Sequence, residues 1–137
     1  MRILDKDYIT IEQLKENNSI VLHWYENPTS EELKFALSTA RDFVKANQVP
    51  NWVANTAKLG AISEEDQQWV NQEWFPTLIK AGIKNMAIVV AENIFGQMSI
   101  EDIMGTLDAE TGFESRYFNS LEDALWWIDK YNRTLQE

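Results

Sequence analysis

Apolar and polar positions alternate over residues 8–12, Tyr8-Ile9-Thr10-Ile11-Glu12, as in a half-buried strand. A second, more apolar strand is predicted over 19–25, and Asn17-Asn18 between the two suits a hairpin turn. From Ser30 to Asn47 the period changes. Leu33, Ala36, Leu37, Ala40, Phe43 and Val44 recur at helical spacing, and Val49-Pro50 closes the segment. Residues 52–55 read as a strand. A second helix follows Ser63, with Trp69, Val70 and Trp74 inward. Pro76 should kink or restart it, and Gly82 should stop it. Residues 86–91, Met-Ala-Ile-Val-Val-Ala, are apolar without alternation, the mark of a strand covered on both faces. A third helix is expected over 100–110 with Gly112 as terminator, then a strand over 113–118 and a helix over 121–132.

Four helix starts share one pattern: Thr29-x-x-Glu32, Ser63-x-x-Asp66, Ser99-x-x-Asp102 and Ser120-x-x-Asp123. In each, a hydroxyl can accept from a free backbone N–H of the first turn while the acid reaches back to the cap. The resulting order is ββαβαβαβα. It predicts a single α/β domain over 1–137, with a mixed, mostly parallel sheet under covering helices.

Charge adds little to this. The chain carries 22 acids against 12 Lys and Arg, a net charge of −10, which argues against a nucleic-acid partner. Nine of the acids fall at the four proposed helix starts, where negative charge complements the helix dipole. There is no Cys and a single His, so no disulfide is possible and a zinc site is not expected. No apolar run approaches the roughly 20 residues that span a bilayer, and Met1-Arg2-Ile3-Leu4-Asp5 is not an apolar signal segment. A cytoplasmic protein without integral membrane association is therefore expected.

Catalytic patterns are sought without result. The glycines are scattered, Gly-x-Ser-x-Gly does not occur, and His23 lies between Leu22 and Trp24 as a structural histidine would. An enzyme is not expected, nor a cofactor or metal.

Three segments resemble the SpoIIAA-like branch of the STAS/SEC14 superfamily. One is Trp69…Trp74-Phe75-Pro76…Leu78…Ala81-Gly82-Ile83-Lys84 leading into the strand at 86–91. Another is Tyr117-Phe118-Asn119-Ser120 followed by Leu121-Glu122-Asp123-Ala124-Leu125-Trp126-Trp127-Ile128. The third feature is the order of elements. The resemblance spans about residues 8–131 and implies a partner-switching domain in which a Ser at a helix start is phosphorylated. The family's Asp-Ser-Gly-like motif is missing. Ser63 or Thr56 would take its place in the stretch 55–63.

Two sets of surface residues complete the reading. Open α/β sheets bind ligands at the carboxyl ends of their strands, which nominates Asn55, Lys58, Glu92 and Asn93 as a small cleft. On the last helix Leu121, Ala124, Leu125, Ile128 and Tyr131 define the inner face, with Trp127 on its flank, so Trp126 points outward; Phe35 is likewise off its helix's apolar stripe. Exposed aromatics serve as binding anchors. The expected function is a non-enzymatic interaction or regulatory module that binds another protein or itself, as a homodimer, through Trp126 and Phe35. The alternative, from the SEC14 side of the resemblance, is a carrier or sensor of a small apolar ligand or lipid.

Overall fold

The computed structural model describes residues 1–107 and 113–136, with side chains as far as residue 130. Six strands form one sheet in serial order: β1 (Arg2–Asp5), β2 (Ile9–Leu14), β3 (Ser19–Trp24), β4 (Asn51–Asn55), β5 (Asn85–Val89) and β6 (Glu114–Phe118). β1, β2 and β3 make an antiparallel meander, and β3 to β6 run parallel. The helices are α1 (Ser30–Asn47), α2 (Glu64–Trp69), α3 (Phe75–Ala81), α4 (Ile94–Gly105) and α5 (Leu121–Gln136). A π turn, Val70–Trp74, joins α2 to α3.

The observed order is thus βββαβαβαβα, one strand more than the sequence predicts. β1 offers only Ile3 and Leu4 as apolar residues, between exposed Arg2 and Asp5, so no alternation announces it. Its stability comes from pairing with β2, with Leu4 opposite Ile11.

Crossovers that step the same way along a sheet put their helices on one face. α1, α2–α3 and α4 accordingly cover Ile9, Ile11, Ile20, Leu22, Trp24, Trp52, Met86 and Ile88. α5 returns after the last strand and covers the opposite face, where Ala124, Trp127 and Ile128 meet Val21, Val53, Ala87 and Val89. Helices on both sides explain why every residue of β5 is buried; the apolar run predicted as a covered strand over 86–91 outlasts it, with Val90 and Ala91 beyond the strand and partly buried. At the amino ends of β3, β4 and β5, Ser19, Asn51 and Asn85 stand in register. The Asn51 amide donates to the carbonyls of Asn17 (3.0 Å) and Asn18 (3.2 Å), and its oxygen accepts from Asn85 (3.0 Å). Buried polar groups need such partners, and this ladder fixes the register of three parallel strands.

Three of the four cap signatures act as caps. Thr29 and Glu32 form a complete capping box. The Ser63 and Ser120 hydroxyls accept from Asp66 and Asp123 N–H, at 3.2 and 3.1 Å. The Asp66 carboxylate, instead of reaching back, accepts from the Ser30 hydroxyl at 2.8 Å and ties the start of α2 to the start of α1.

Ser99 corrects the sequence reading. It lies inside α4, which begins six residues earlier than expected, and Asn93 is the cap, its Oδ1 accepting from Phe95 and Gly96 N–H at 2.9 and 3.2 Å. Ser99 Oγ instead donates to the Phe95 carbonyl and accepts from Ile62 N–H, both at 3.0 Å. α4 also ends earlier than expected, at Gly105; Glu110 and Gly112 lie outside the described residues. Asn93→Ala is expected to cost about 1 kcal/mol, read as a lower urea midpoint at unchanged slope.

The restart at Pro76 takes the form of a wider turn. Proline has no N–H and its ring clashes with the carbonyl one turn back. The chain relieves this by bonding Phe75 N–H to the Val70 carbonyl, five residues back, and then resumes an α-helix. Gly82 ends it with φ +110°, a conformation that glycine adopts without penalty.

Candidate functional site

The loops after β4 and β5 meet at the carboxyl edge of the sheet, where the first turn of α4 stands on them. The contacts between them are numerous. The Thr56 hydroxyl donates to the Val89 carbonyl, and Glu92 N–H donates to the Ala57 carbonyl at 3.0 Å. Gly60 N–H donates to the Asn27 side chain, whose amide donates to the Ala61 carbonyl at 3.2 Å. The Gln97 side chain accepts from Ala91 N–H at 2.8 Å. At Gly96 the approach is so close that a Cβ would lie 2.3 Å from the Leu59 carbonyl oxygen.

This fixed base turns the apolar side chains of the first turns of α4 outward. Ile94, Phe95 and Met98 are 69%, 63% and 52% exposed. Ile94 and Met98 are four residues apart and stack on one face of the helix, with Phe95 beside them. Single exposed apolar residues are ordinary; here three adjacent ones stand together on a rigid turn. Glu101 and Asp102 follow on the next turn and are exposed. Burial, and secondly Glu101, raises the pKa of the Tyr117 phenol on β6, so this acidic end of α4 faces the outer strand. Ile94 and Met98 are the residues of this turn that sequence reasoning missed as a site. The available signal was an Asn-capped turn carrying apolar residues out of phase with Ile100 and Ile103.

The residues nominated from sequence fall as follows. Trp126 is 62% exposed on α5, with Lys130 Nζ 5.1 Å from its ring, and Phe35 is 51% exposed on α1. They belong to opposite layers of the sheet and do not form one surface. Of the four cleft residues, the structure brings Lys58 and Glu92 together as an exposed ion pair at 3.1 Å. Asn93 is engaged as the α4 cap. Asn55 turns to the α5 side of the sheet, where its amide meets His23 Nδ1 at 3.2 Å. Thr56 is 5% exposed with its hydroxyl engaged, which puts it out of a kinase's reach; Ser63 is exposed at the start of α2.

His23 is half-buried, held between Asn55 and the Glu12 carboxylate (Nε2 to Oε1, 3.3 Å) and stacked on Tyr25. Both ring nitrogens are satisfied when Nε2 donates and Nδ1 accepts. The hydroxyl nearest in register, Thr10, bonds to the Tyr25 phenol at 2.9 Å. The imidazole is oriented with no nucleophile set against it among the described residues.

Between the sheet and α1, α2–α3 and α4 lies an apolar cavity of about 90 Å³, lined by Trp24, Leu37, Trp52, Leu59, Trp74 and Ile88 among others. The π turn borders it. Neither the known protein families nor the curated proteins include a match to this chain.

Proposed function

We propose that this chain is a non-enzymatic interaction module whose protein partner docks on Ile94, Phe95 and Met98, beside a regulatory Ser63. The exposed apolar turn, held on a base that leaves no room for even one methyl group at Gly96, is the observation that carries this reading. Such a surface costs little entropy to bind because it is already ordered. With a net charge of −10 and Glu101 and Asp102 on the following turn, it fits an apolar partner segment with a basic rim.

Ser63 directly follows Ile62, whose N–H is held by Ser99 of α4. A phosphate there adds about two negative charges one residue from the α4 contact, beside Glu64, Glu65 and Asp66. It strengthens attraction to a basic partner and repels an acidic one. The strand–helix alternation from β3 to α5 and this serine-capped helix after β4 support membership of the SpoIIAA-like branch and its partner-switching habit.

The test is co-purification from the cell of origin. Ile94→Asp with Phe95→Asp changes only exposed side chains, for which stability shifts of about 0.5 kcal/mol or less are usual. The folded double variant is expected to lose a partner that the unaltered protein and Trp126→Ala both retain. Equal recovery with the double variant overturns the proposal.

A second reading, a sensor of a small apolar ligand, is favoured by the cavity. Its volume of about 90 Å³ is smaller than the roughly 150 Å³ cavity that takes up benzene, so a lipid chain does not fit. Organic extraction of the purified protein is expected to yield no stoichiometric lipid; recovery of one would reinstate the carrier.

A further inference from the structure

The serial strand order leaves β1 and β6 as the two edges of the sheet. An open edge invites pairing unless it is blunted. β1 is blunted: it has four residues, a register irregularity between Arg2 and Leu4, and charges at both ends. β6 has no register irregularity, and its two charges, Glu114 and Arg116, are of opposite sign and pair with each other. It pairs with β5 in unbroken register from Glu114 to Phe118 and contains no Pro or Lys.

Which β6 backbone groups are free follows from the ladder. Glu114 N–H donates to the Lys84 carbonyl and Val90 N–H donates to the Phe118 carbonyl. In a parallel pair alternate residues face the neighbour, so Glu114, Arg116 and Phe118 bond inward, and Ser115 and Tyr117 point their N–H and C=O out of the sheet. Both residues are exposed, and no strand among the described residues lies beyond them.

We infer that β6 pairs antiparallel with β6 of a second copy, about a two-fold axis at Ser115, making one continuous twelve-stranded sheet. Charge complementarity selects this occupant and this register. With Ser115 opposite its own copy, Glu114 stands opposite the second copy's Arg116, and the same pair repeats across the axis. These are non-hydrogen-bonded positions, where side chains approach most closely, and opposite charges there are stabilising. Within one chain the two side chains already pair at 3.2 Å, partly exposed, on the α5 face. On the other face Tyr117 meets the second copy's Phe113. An axis at Arg116 instead opposes two arginines.

A stable dimer needs more area than a five-residue strand, roughly 1,200–2,000 Å² in total. α5 supplies it. The Arg116 guanidinium lies 5.3 Å from the Trp127 ring and Phe118 lies 5.7 Å from it, which places the Trp127 flank of α5 above β6. At about 100° per residue, Asp123, Lys130 and exposed Trp126 follow round that same flank. A two-fold axis perpendicular to the sheet sets the flanks of the two α5 helices side by side.

This dimer uses none of Ile94, Phe95 and Met98, and purified protein alone tests it. Native mass spectrometry and sedimentation equilibrium are expected to show a concentration-dependent dimer. Ser115→Pro removes an outward N–H while leaving every bond to β5, and is expected to give a folded monomer by circular dichroism. Glu114→Arg is expected to weaken the dimer at least about tenfold, and adding Arg116→Glu restores it, which decides the matter even if Ser115→Pro fails to fold. A protein that stays monomeric at all concentrations, or a dimer indifferent to the charge reversal, overturns the inference.

Discussion

Trp74→Ala is expected to cost about 5 kcal/mol, the upper end of the range for removing a buried tryptophan. The Trp74 side chain is 2% exposed and stands at the π turn. Its ring meets Trp52 edge-on at 5.4 Å and Phe75 at 4.9 Å, and its indole N–H donates to the Leu37 carbonyl of α1 at 2.9 Å. It thus joins α1, the sheet and α3 through one side chain. The site also resists collapse, because Trp74 already borders a cavity of about 90 Å³, which its removal enlarges. Domains have about 5–15 kcal/mol of total stability, so the variant should be barely folded at room temperature. Trp74→Phe keeps most of the ring and loses the hydrogen bond, worth about 1 kcal/mol, plus some contact area. Urea unfolding of both variants checks the argument: the alanine variant must lose far more than the phenylalanine one. Similar losses would mean that the hydrogen bond, rather than packing, dominates.

Gly96→Ala is expected to cost about 3 kcal/mol, a large effect for one methyl group. The added carbon would lie 2.3 Å from the Leu59 carbonyl oxygen and 3.0 Å from that of Gly60. Both obstacles are backbone, and the loop is anchored by Thr56, Asn27 and Ser99, so neither can yield as a side-chain tip would. Gly105→Ala is the internal control. It sits at the end of the same helix with nothing within 4 Å of the new carbon, and alanine's better helix propensity should give up to about 1 kcal/mol of added stability. Thermal melts of the two should move in opposite directions. A folded fraction of Gly96→Ala should also lose the partner, since the turn bearing Phe95 no longer seats on Leu59.

The sheet and most helices are legible in the sequence because their signals are local. The unbroken apolar run of β5, the Thr29–Glu32 box and the stop at Gly82 each need only neighbouring residues. What escapes reading depends on distant partners. β1 exists through its pairing with β2. The inner face of α4 includes Gly96 and Ser99, small residues to which a hydrophobic pattern is blind, while Ile94, Phe95 and Met98 supply apolar signal on the wrong side. Ser99-x-x-Asp102 then imitates a cap inside the helix. Asn55 and Thr56 look equivalent as loop residues, but the strand's alternation sends one to His23 and the tertiary fold buries the other under Val89. On α5 the outward turn of Trp126 follows from helical spacing. Trp127, on the flank of the inner face, is nonetheless buried, because Phe118 and Arg116 close over it. The side chain of Tyr131 lies outside the described residues.

The most direct measurement is photo-crosslinking in the cell of origin with benzoylphenylalanine placed at Phe95 and, separately, at exposed Phe35 on α1. A docking surface on the first turn of α4 predicts a discrete protein adduct from position 95 that position 35 does not give and that a phosphate-mimicking change at Ser63 alters in yield. No adduct from position 95, or the same adduct from both positions, contradicts it.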